Sequence, residues 1–283
     1  MTAGDIRIIT GDHSSATKMS GIVCAGANDY LQIDALATHE AGANNTMGTM
    51  SCWVNFPDTT EQYSAFSIGV DAEISHIDIE VNAGIITAYS RSNNVEQFKI
   101  ESSEKITPHK WHHIAMTHDG VRPRIYLDGV RCTETDTVST NLTFWMNDLA
   151  TWDKSAIGIL SMNSGTVFDC DGGITYVKYS TGTTSAAVWT PEEVKAEYDY
   201  RGGLGVGSGK TPNLCTWILD NSLVETTTGG GTYDATIVSD VQFDTEFSSF
   251  TSKLRLLAPV VADDTNILSI GGGGYIAAVV KAA

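Results

Sequence analysis

KWHHIAMTHDGVRPRIYLDGVRC, Lys110–Cys132, decides the fold class. Three short β-prone runs, Trp111–His118, Arg124–Leu127 and Val130–Thr135, are separated by Asp119-Gly120 and Asp128-Gly129. Asp-Gly pairs accept the positive backbone angles of tight reversals, so the segment predicts three consecutive antiparallel strands. The pattern continues outward in both directions. Short stretches rich in β-branched and aromatic residues alternate with Gly, Asn and Asp, and helical periodicity is nearly absent, which is an all-β signature.

Toward the N-terminus the expected strands are Ile6–Thr10, Gly21–Cys24, Tyr30–Ile33, Thr49–Phe56, Ser64–Gly69, Ile74–Val81, Ile85–Ser90 and Val95–Ile100. Toward the C-terminus they are Ala156–Ile159, Gly173–Tyr179, Leu214–Leu219, Ala235–Phe243, Leu254–Val261, Ile267–Ile270 and Tyr275–Val280. One helix is expected in TPEEVKAEYDY, with Thr190 as N-cap, Pro191 at the first helical position and two glutamates in the first turn. GGLGVGSGKTP then reads as a flexible linker or long loop. It divides the chain into residues 1–203 and a glycine-rich, β-rich extension, 204–283, that either completes the first unit or mediates assembly.

The 283 residues are 42% hydrophobic and 18% charged, an ordinary globular composition. A formal net charge of −17, from 34 acidic and 17 basic residues, would repel a phosphate backbone, so no nucleic-acid partner is expected. No apolar run approaches the ~18 residues of a membrane span, and the first residues show no secretory leader. The five cysteines are scattered without a CxxC pair and read as buried free thiols. The Asn44 and Asn141 sequons are expected to be silent for want of a leader.

The central segment closely resembles the laminin G-like family of the concanavalin A-like lectin and glucanase superfamily, in its Trp-His-His-apolar-Ala strand and its Tyr-Leu-Asp-Gly hairpin. CAGANDYLQI, MGTMSCWVNF, AFSIG, SAIGIL, FDCDGGITYVKY and TPEEVKAEY resemble that family's other elements in order, over about Gly21–Tyr200. The resemblance implies an antiparallel jelly-roll β-sandwich, a fold used for sugar binding, adhesion and glycan hydrolysis.

Superfamily glucanases carry Glu-x-Asp-x-Glu on one strand face, and HIDIE offers His76, Asp78 and Glu80 at that spacing. Retaining hydrolysis needs two carboxyl groups ~5 Å apart, and histidine in the first position breaks the pair, so a non-enzymatic protein is expected. His112 and His113 point to opposite faces, and His118 lies ~20 Å from His112 along a strand, so they do not form a metal site. GVGSGKT has Leu204 where a phosphate-binding loop needs glycine.

Candidate ligand-binding residues are Trp145 and Trp152, in the irregular stretch NLTFWMNDLATWDK where an exposed aromatic could stack on a sugar. Asp169 and Asp171 are the candidate metal ligands, with calcium as the ion implied by the resemblance. Tyr275, Ile276, Val279 and Val280 follow Gly271–Gly274 and could pair with a neighbouring sheet edge. An adhesion-type fold without a leader suggests a virion protein, assembled in a bacteriophage host's cytoplasm and displayed on capsid or tail. Its partners would be other virion proteins, a glycan or further copies of itself. The alternative is a cellular carbohydrate-binding lectin or adhesin.

Overall fold

The computed structural model describes residues 19–24, 29–57, 60–70, 75–149, 153–162, 165–167, 170–201, 205–219, 223, 226, 233–238, 242–247, 269–270 and 274–275. In chain order the first elements are β1 (Met19–Cys24), β2 (Tyr30–Gln32), α1 (Asp34–Gly42), β3 (Met47–Asn55), β4 (Gln62–Val70), β5 (Ser75–Asn82), β6 (Ile85–Ser92) and β7 (Val95–Lys105). Next come β8 (His112–His118), β9 (Pro123–Leu127), β10 (Val130–Arg131), β11 (Glu134–Ser139), β12 (Lys154–Ile157), β13 (Leu160–Met162), β14 (Gly165–Val167) and β15 (Gly172–Gly182). The chain continues through α2 (Pro191–Tyr200), β16 (Cys215–Trp217), β17 (Thr236–Val238), β18 (Gln242–Phe247), β19 (Ser269–Ile270) and β20 (Gly274–Tyr275).

Two antiparallel sheets make an all-β jelly-roll sandwich. The first runs β10-β9-β8-β3-β15-β1-β18, with β16 also paired to β15, and the second runs β11-β7-β6-β5-β4-β12-β2-β17. Alternation decides which side chains meet between them. Met50, Cys52, Val54, Ile114, Met116, Ile125 and Ile174 from the first sheet share one buried cluster with Phe66, Ile68, Ile77, Ile79, Ile86, Phe98 and Ile100 from the second. Burying each such aliphatic or aromatic side chain is worth roughly 1.5–3 kcal/mol, which fixes the register of every strand that carries one.

The meander read from the sequence is present as β8-β9-β10, but its third strand is short. β10 ends at Arg131, and β11 crosses to the second sheet to pair with β7. Glu134 pins the crossing: its carboxylate meets Arg122 at 3.1 Å, Arg131 at 3.3 Å and Arg124 at 3.5 Å, and accepts the Ile125 N–H at 2.9 Å. The Asp128-Gly129 reversal has φ of 50° and 77° between Leu127 and Val130, the two-residue hairpin its sequence calls for. Asp119-Gly120 opens a longer loop instead, in which Asp119 Oδ1 accepts the N–H groups of Val121 and Arg122.

Helix α2 starts as expected. Thr190 Oγ1 accepts the Glu193 N–H at 3.3 Å, while the Glu193 carboxylate accepts the Thr190 N–H at 2.9 Å. The helix lies on the outer face of the first sheet, where Ala115, Tyr126, Trp189 and Val194 form a second apolar cluster. Lys178 Nζ reaches up from β15 to donate to Glu197 at 2.7 Å and to the Lys210 carbonyl at 2.8 Å. Helix α1 is not evident in the sequence, since only Leu36, Ala37 and Glu40 are buried and no side chain caps its start.

The division at 203/204 is not where the strands divide. β16, β17 and β18 pair with β15, β2 and β1, so residues beyond 204 complete both sheets. The compact unit spans His13–Ser249, and Met1–Asp12 with Phe250–Ala283 forms another. Of that second unit the described residues make one ladder, Ser269 opposite Tyr275 and Ile270 opposite Gly274. The expected strands Ile6–Thr10 and Leu254–Val261 lie outside the described residues. Residues 205–213 are not a free linker: the N–H groups of Gly205 and Val206 bond the carbonyls of Tyr200 and Asp199, and Lys210 pairs with Glu193.

A Cβ on Gly129 would stand 2.9 Å from Lys195 Cδ and 3.0 Å from Tyr198 Cβ of α2, whereas one on Gly207 (φ +82°) would touch nothing within 4 Å. Gly129→Ala should therefore lower unfolding stability by roughly 1–3 kcal/mol, and clearly more than Gly207→Ala, which carries only the backbone cost. Urea midpoints of the two variants measure the difference, and equal losses would remove the helix contact as the cause.

Candidate functional site

The inward row of β5 is Ile77, Ile79 and Val81, so His76, Asp78 and Glu80 point to the outer face of the second sheet. Pairing brings polar neighbours to them on both sides. Gly69, Ser67 and Ser64 of β4 stand opposite His76, Asp78 and Glu80. Arg91, Tyr89 and Thr87 of β6 stand opposite them on the other side. β7 continues the face with Glu96, Lys99 and Glu101. The face is graded: His76, Asp78 and Glu80 are at most 1% exposed, Tyr89 is 9% exposed, and Lys99 and Glu101 are about a quarter exposed.

Some groups here are held by the protein. Gln62 Nε2 donates to Glu80 Oε2 at 2.7 Å, Tyr89 donates its hydroxyl to Glu96 at 2.8 Å, and Lys99 pairs with Glu101 at 3.0 Å. The floor is different. Both oxygens of Asp78, both ring nitrogens of His76, the hydroxyls of Ser64 and Thr87, and Arg91 Nε receive or give no hydrogen bond among the described residues. His76 Nε2 comes no nearer to Asp78 Oδ1 than 3.6 Å, and its ring lies 5.2 Å from that of Tyr89. A buried polar group without a partner costs about 1–3 kcal/mol, so this row holds hydrogen-bonding capacity that the described fold leaves unused.

Burial sets the protonation of the floor. It pushes the Glu80 carboxyl up to about 7, with the Gln62 donor and Lys99 opposing it. Asp78 is raised as well, by burial and then by the adjacent Glu80 carboxyl. Burial, and then the Arg91 charge, lowers His76 to about 3 and keeps its imidazole neutral. The result is a floor on which burial opposes charge at His76, Asp78 and Glu80, with an aromatic ring at its edge.

The other sequence-derived candidates lie elsewhere. Trp145 is no exposed platform: it is fully buried, stacked on His118 at 4.8 Å, in a short turn whose N-terminus Asp148 caps. The stretch looked irregular, but its apolar residues Phe144, Trp145, Met146 and Leu149 all join the core. Trp152 and Asp169 lie outside the described residues. Asp171 is exposed, and no group of three or more metal-ligating side chains occurs among the described residues. Tyr275 sits in the β19-β20 ladder, while Ile276, Val279 and Val280 lie outside the described residues.

The three β8-region histidines are structural. His112 pairs with Asp128 at 2.8 Å, His113 with Ser51 at 2.8 Å, and His118 donates to the Leu142 carbonyl at 3.0 Å. A Cβ on Gly205 would run into the Asp199 and Tyr200 backbone, and one on Gly209 into the Tyr200 ring and the Glu197 carboxylate. Tyr89, Arg91, Thr87 and Ser64 were not singled out from the sequence. Their signal was the alternation in ITAYSRS and the pairing of that strand with HIDIE, which becomes visible only once register is known.

The raised Glu80 carboxyl has a measurable effect on stability. Between pH 4.5 and 7 an unfolded glutamate ionises while folded Glu80 keeps its proton, so the folded state binds more protons and stability falls as pH rises. Glu80→Gln should flatten that fall, giving a smaller loss of urea midpoint between pH 5 and pH 8 than the parent shows. Identical slopes would mean that Glu80 ionises normally. Trp145→Ala should cost about 3–5 kcal/mol in the same assay, as loss of a core aromatic does.

A laminin G profile described as the concanavalin A-like lectin/glucanases superfamily matches residues 25–169. Comparison with curated proteins finds no match. Among solved structures the chain is similar to the Ruminococcus gnavus IT-sialidase CBM40 bound to α2,3-sialyllactose, at 14% identity and TM-score 0.49, covering 65% of this chain and 98% of that one. It is similar to a native heptameric SAP-like pentraxin from Limulus polyphemus at 11% identity and TM-score 0.47, over 83% and 93%. A Bacteroides ovatus protein described as a carbohydrate-binding candidate aligns at 14% identity and TM-score 0.53, over 82% and 60%. With the Bacteroides ovatus protein, at 14% identity, the likeness is one of fold. With the profile spanning just over half of its length, and two antiparallel sheets forming the sandwich, the chain belongs to the laminin G-like branch of the concanavalin A-like lectin/glucanase superfamily.

Proposed function

We propose that this protein is a non-enzymatic, carbohydrate-binding lectin-like module that takes a glycan on the outer face of its second sheet. The observation that carries the reading is the unused hydrogen-bonding row, Asp78, His76, Ser64, Thr87 and Arg91, beside the Tyr89 ring. A sugar presents hydroxyls that both donate and accept, and a C–H face that packs on an aromatic ring. Above the buried row, where the face opens toward β7, Lys99, Glu101 and the edge of the Tyr89 ring supply the complements of both. Family membership, and the fold shared with the Bacteroides ovatus protein, support the same reading.

Hydrolysis is not supported by the chemistry of the row. Its two carboxyls belong to alternate residues of one strand and burial raises both, so neither stands apart as an ionised nucleophile with the other as acid. The position where a second separated acid would sit holds neutral His76. Family and fold favour the lectin or adhesin reading over display on a phage particle, for which the sequence expectation is the sole support.

A glycan array followed by calorimetry tests the proposal. At least one neutral or amino sugar should bind, and Asp78→Asn and Tyr89→Ala should each weaken it at least tenfold while keeping the parent's circular dichroism. Binding that survives both substitutions moves the site elsewhere, and no binding by the folded parent ends the lectin reading. Reducing ends released from laminarin, agarose or xylan by the parent, and lost in Glu80→Gln, would make the protein an enzyme.

A further inference from the structure

Cys24 ends β1, and Cys170 lies just before β15, the strand that pairs with β1 and sets Cys24 opposite Gly172. Both side chains are buried. Gly158, just after β12, is wedged against the two of them: a Cβ there would stand 3.1 Å from Cys24 Sγ and 3.5 Å from Cys170 Cβ. The Cys170 N–H donates to the Gly158 carbonyl at 2.7 Å, which holds this corner of the backbone in place. Cys170 Sγ lies 3.9 Å from the carbonyl of Gly172, the residue opposite Cys24, and burial together with the neighbouring Cys24 thiol raises the Cys170 thiol well above its usual range. The other cysteines sit differently. Cys52 faces the core from mid-β3, Cys132 follows β10, and Cys215 begins β16.

We propose that Cys24 and Cys170 form a disulfide site, one that closes when the chain folds in an oxidising environment. The co-reactant is a small-molecule disulfide such as oxidised glutathione. The thiolate of one cysteine attacks a glutathione sulfur and releases one glutathione thiolate. The other cysteine then attacks the mixed disulfide and releases the second. One sulfur–sulfur bond is formed and one broken, two electrons pass from the protein thiols to glutathione, and the two thiol protons end on the departing glutathiones. Because both sulfurs are buried in the folded protein, the exchange belongs to folding, when they are still accessible. The bond would tie β1 to the connection between the two sheets. Since such bonds persist in oxidising compartments, the state of this pair in protein from its native source also reports where the chain folds.

Refolding the full chain from urea in a glutathione redox buffer tests the site. Remaining thiols are blocked under denaturing conditions, and the digest is mapped by mass spectrometry. One cross-linked peptide pair should join Cys24 to Cys170, with Cys52, Cys132 and Cys215 blocked. The oxidised protein should melt at a higher temperature than the same protein after dithiothreitol, and Cys24→Ala and Cys170→Ala should lack that rise. Cys24 and Cys170 both blocked at every redox ratio, or either joined to Cys52, would overturn the proposal. The wild-type peptide map decides this whether or not the variants fold.

Discussion

A strand sends successive side chains to opposite faces, and a two-sheet sandwich buries only one face of each sheet in its common core. Everything distinctive here follows from how the two remaining outer faces are treated. On the first sheet, α2 and the segment after it cover the outer face, and Trp189, Val194 and Tyr126 extend burial to that side. Every residue of β8 is consequently buried. The price of that cover is a charged pair, Lys178 with Glu197, taken out of water and kept tolerable by two further hydrogen bonds, one from the Lys210 N–H and one to its carbonyl.

The second sheet has no described helix on its outer face. Its β5 is as buried as β8, yet three of its outward residues are His76, Asp78 and Glu80 rather than apolar. A sequence selected for stability alone would place valine or threonine there, since an unpartnered buried carboxyl is among the costliest groups a fold can hold. These costly groups stand in a graded face that becomes more accessible toward β7, and they are what the proposed glycan site is built on.

The fold class was legible because its signals are local. Asp128-Gly129, the Thr190-Pro191-Glu192-Glu193 cap and the Trp111–His118 run each specify their element within a few residues. The crossing at Glu134 was not, because it depends on three arginines meeting one carboxylate after the sheets form. Trp145 was misplaced for a related reason. Irregular backbone suggested a surface loop, and only its stacking on His118 and its place in the core cluster show it buried. The candidate site was half visible: HIDIE could be read, but its partners Tyr89 and Arg91 arrive through pairing, and the protonation of its carboxyls through burial that no motif encodes.

The connectivity of the two sheets differs in kind. The first is stitched from remote segments, β1 beside β15 and β18, and β3 beside β8 and β15. The strands that carry the polar row, β4 to β7, are consecutive in the chain and pair in order as a simple up-and-down run within Gln62–Lys105. Such nearest-neighbour pairing closes short loops and gives up little chain entropy before contacts form. The half of the molecule that bears the polar row is thus the part a refolding chain can assemble first. The half that stabilises it waits for the termini of the sandwich to come together.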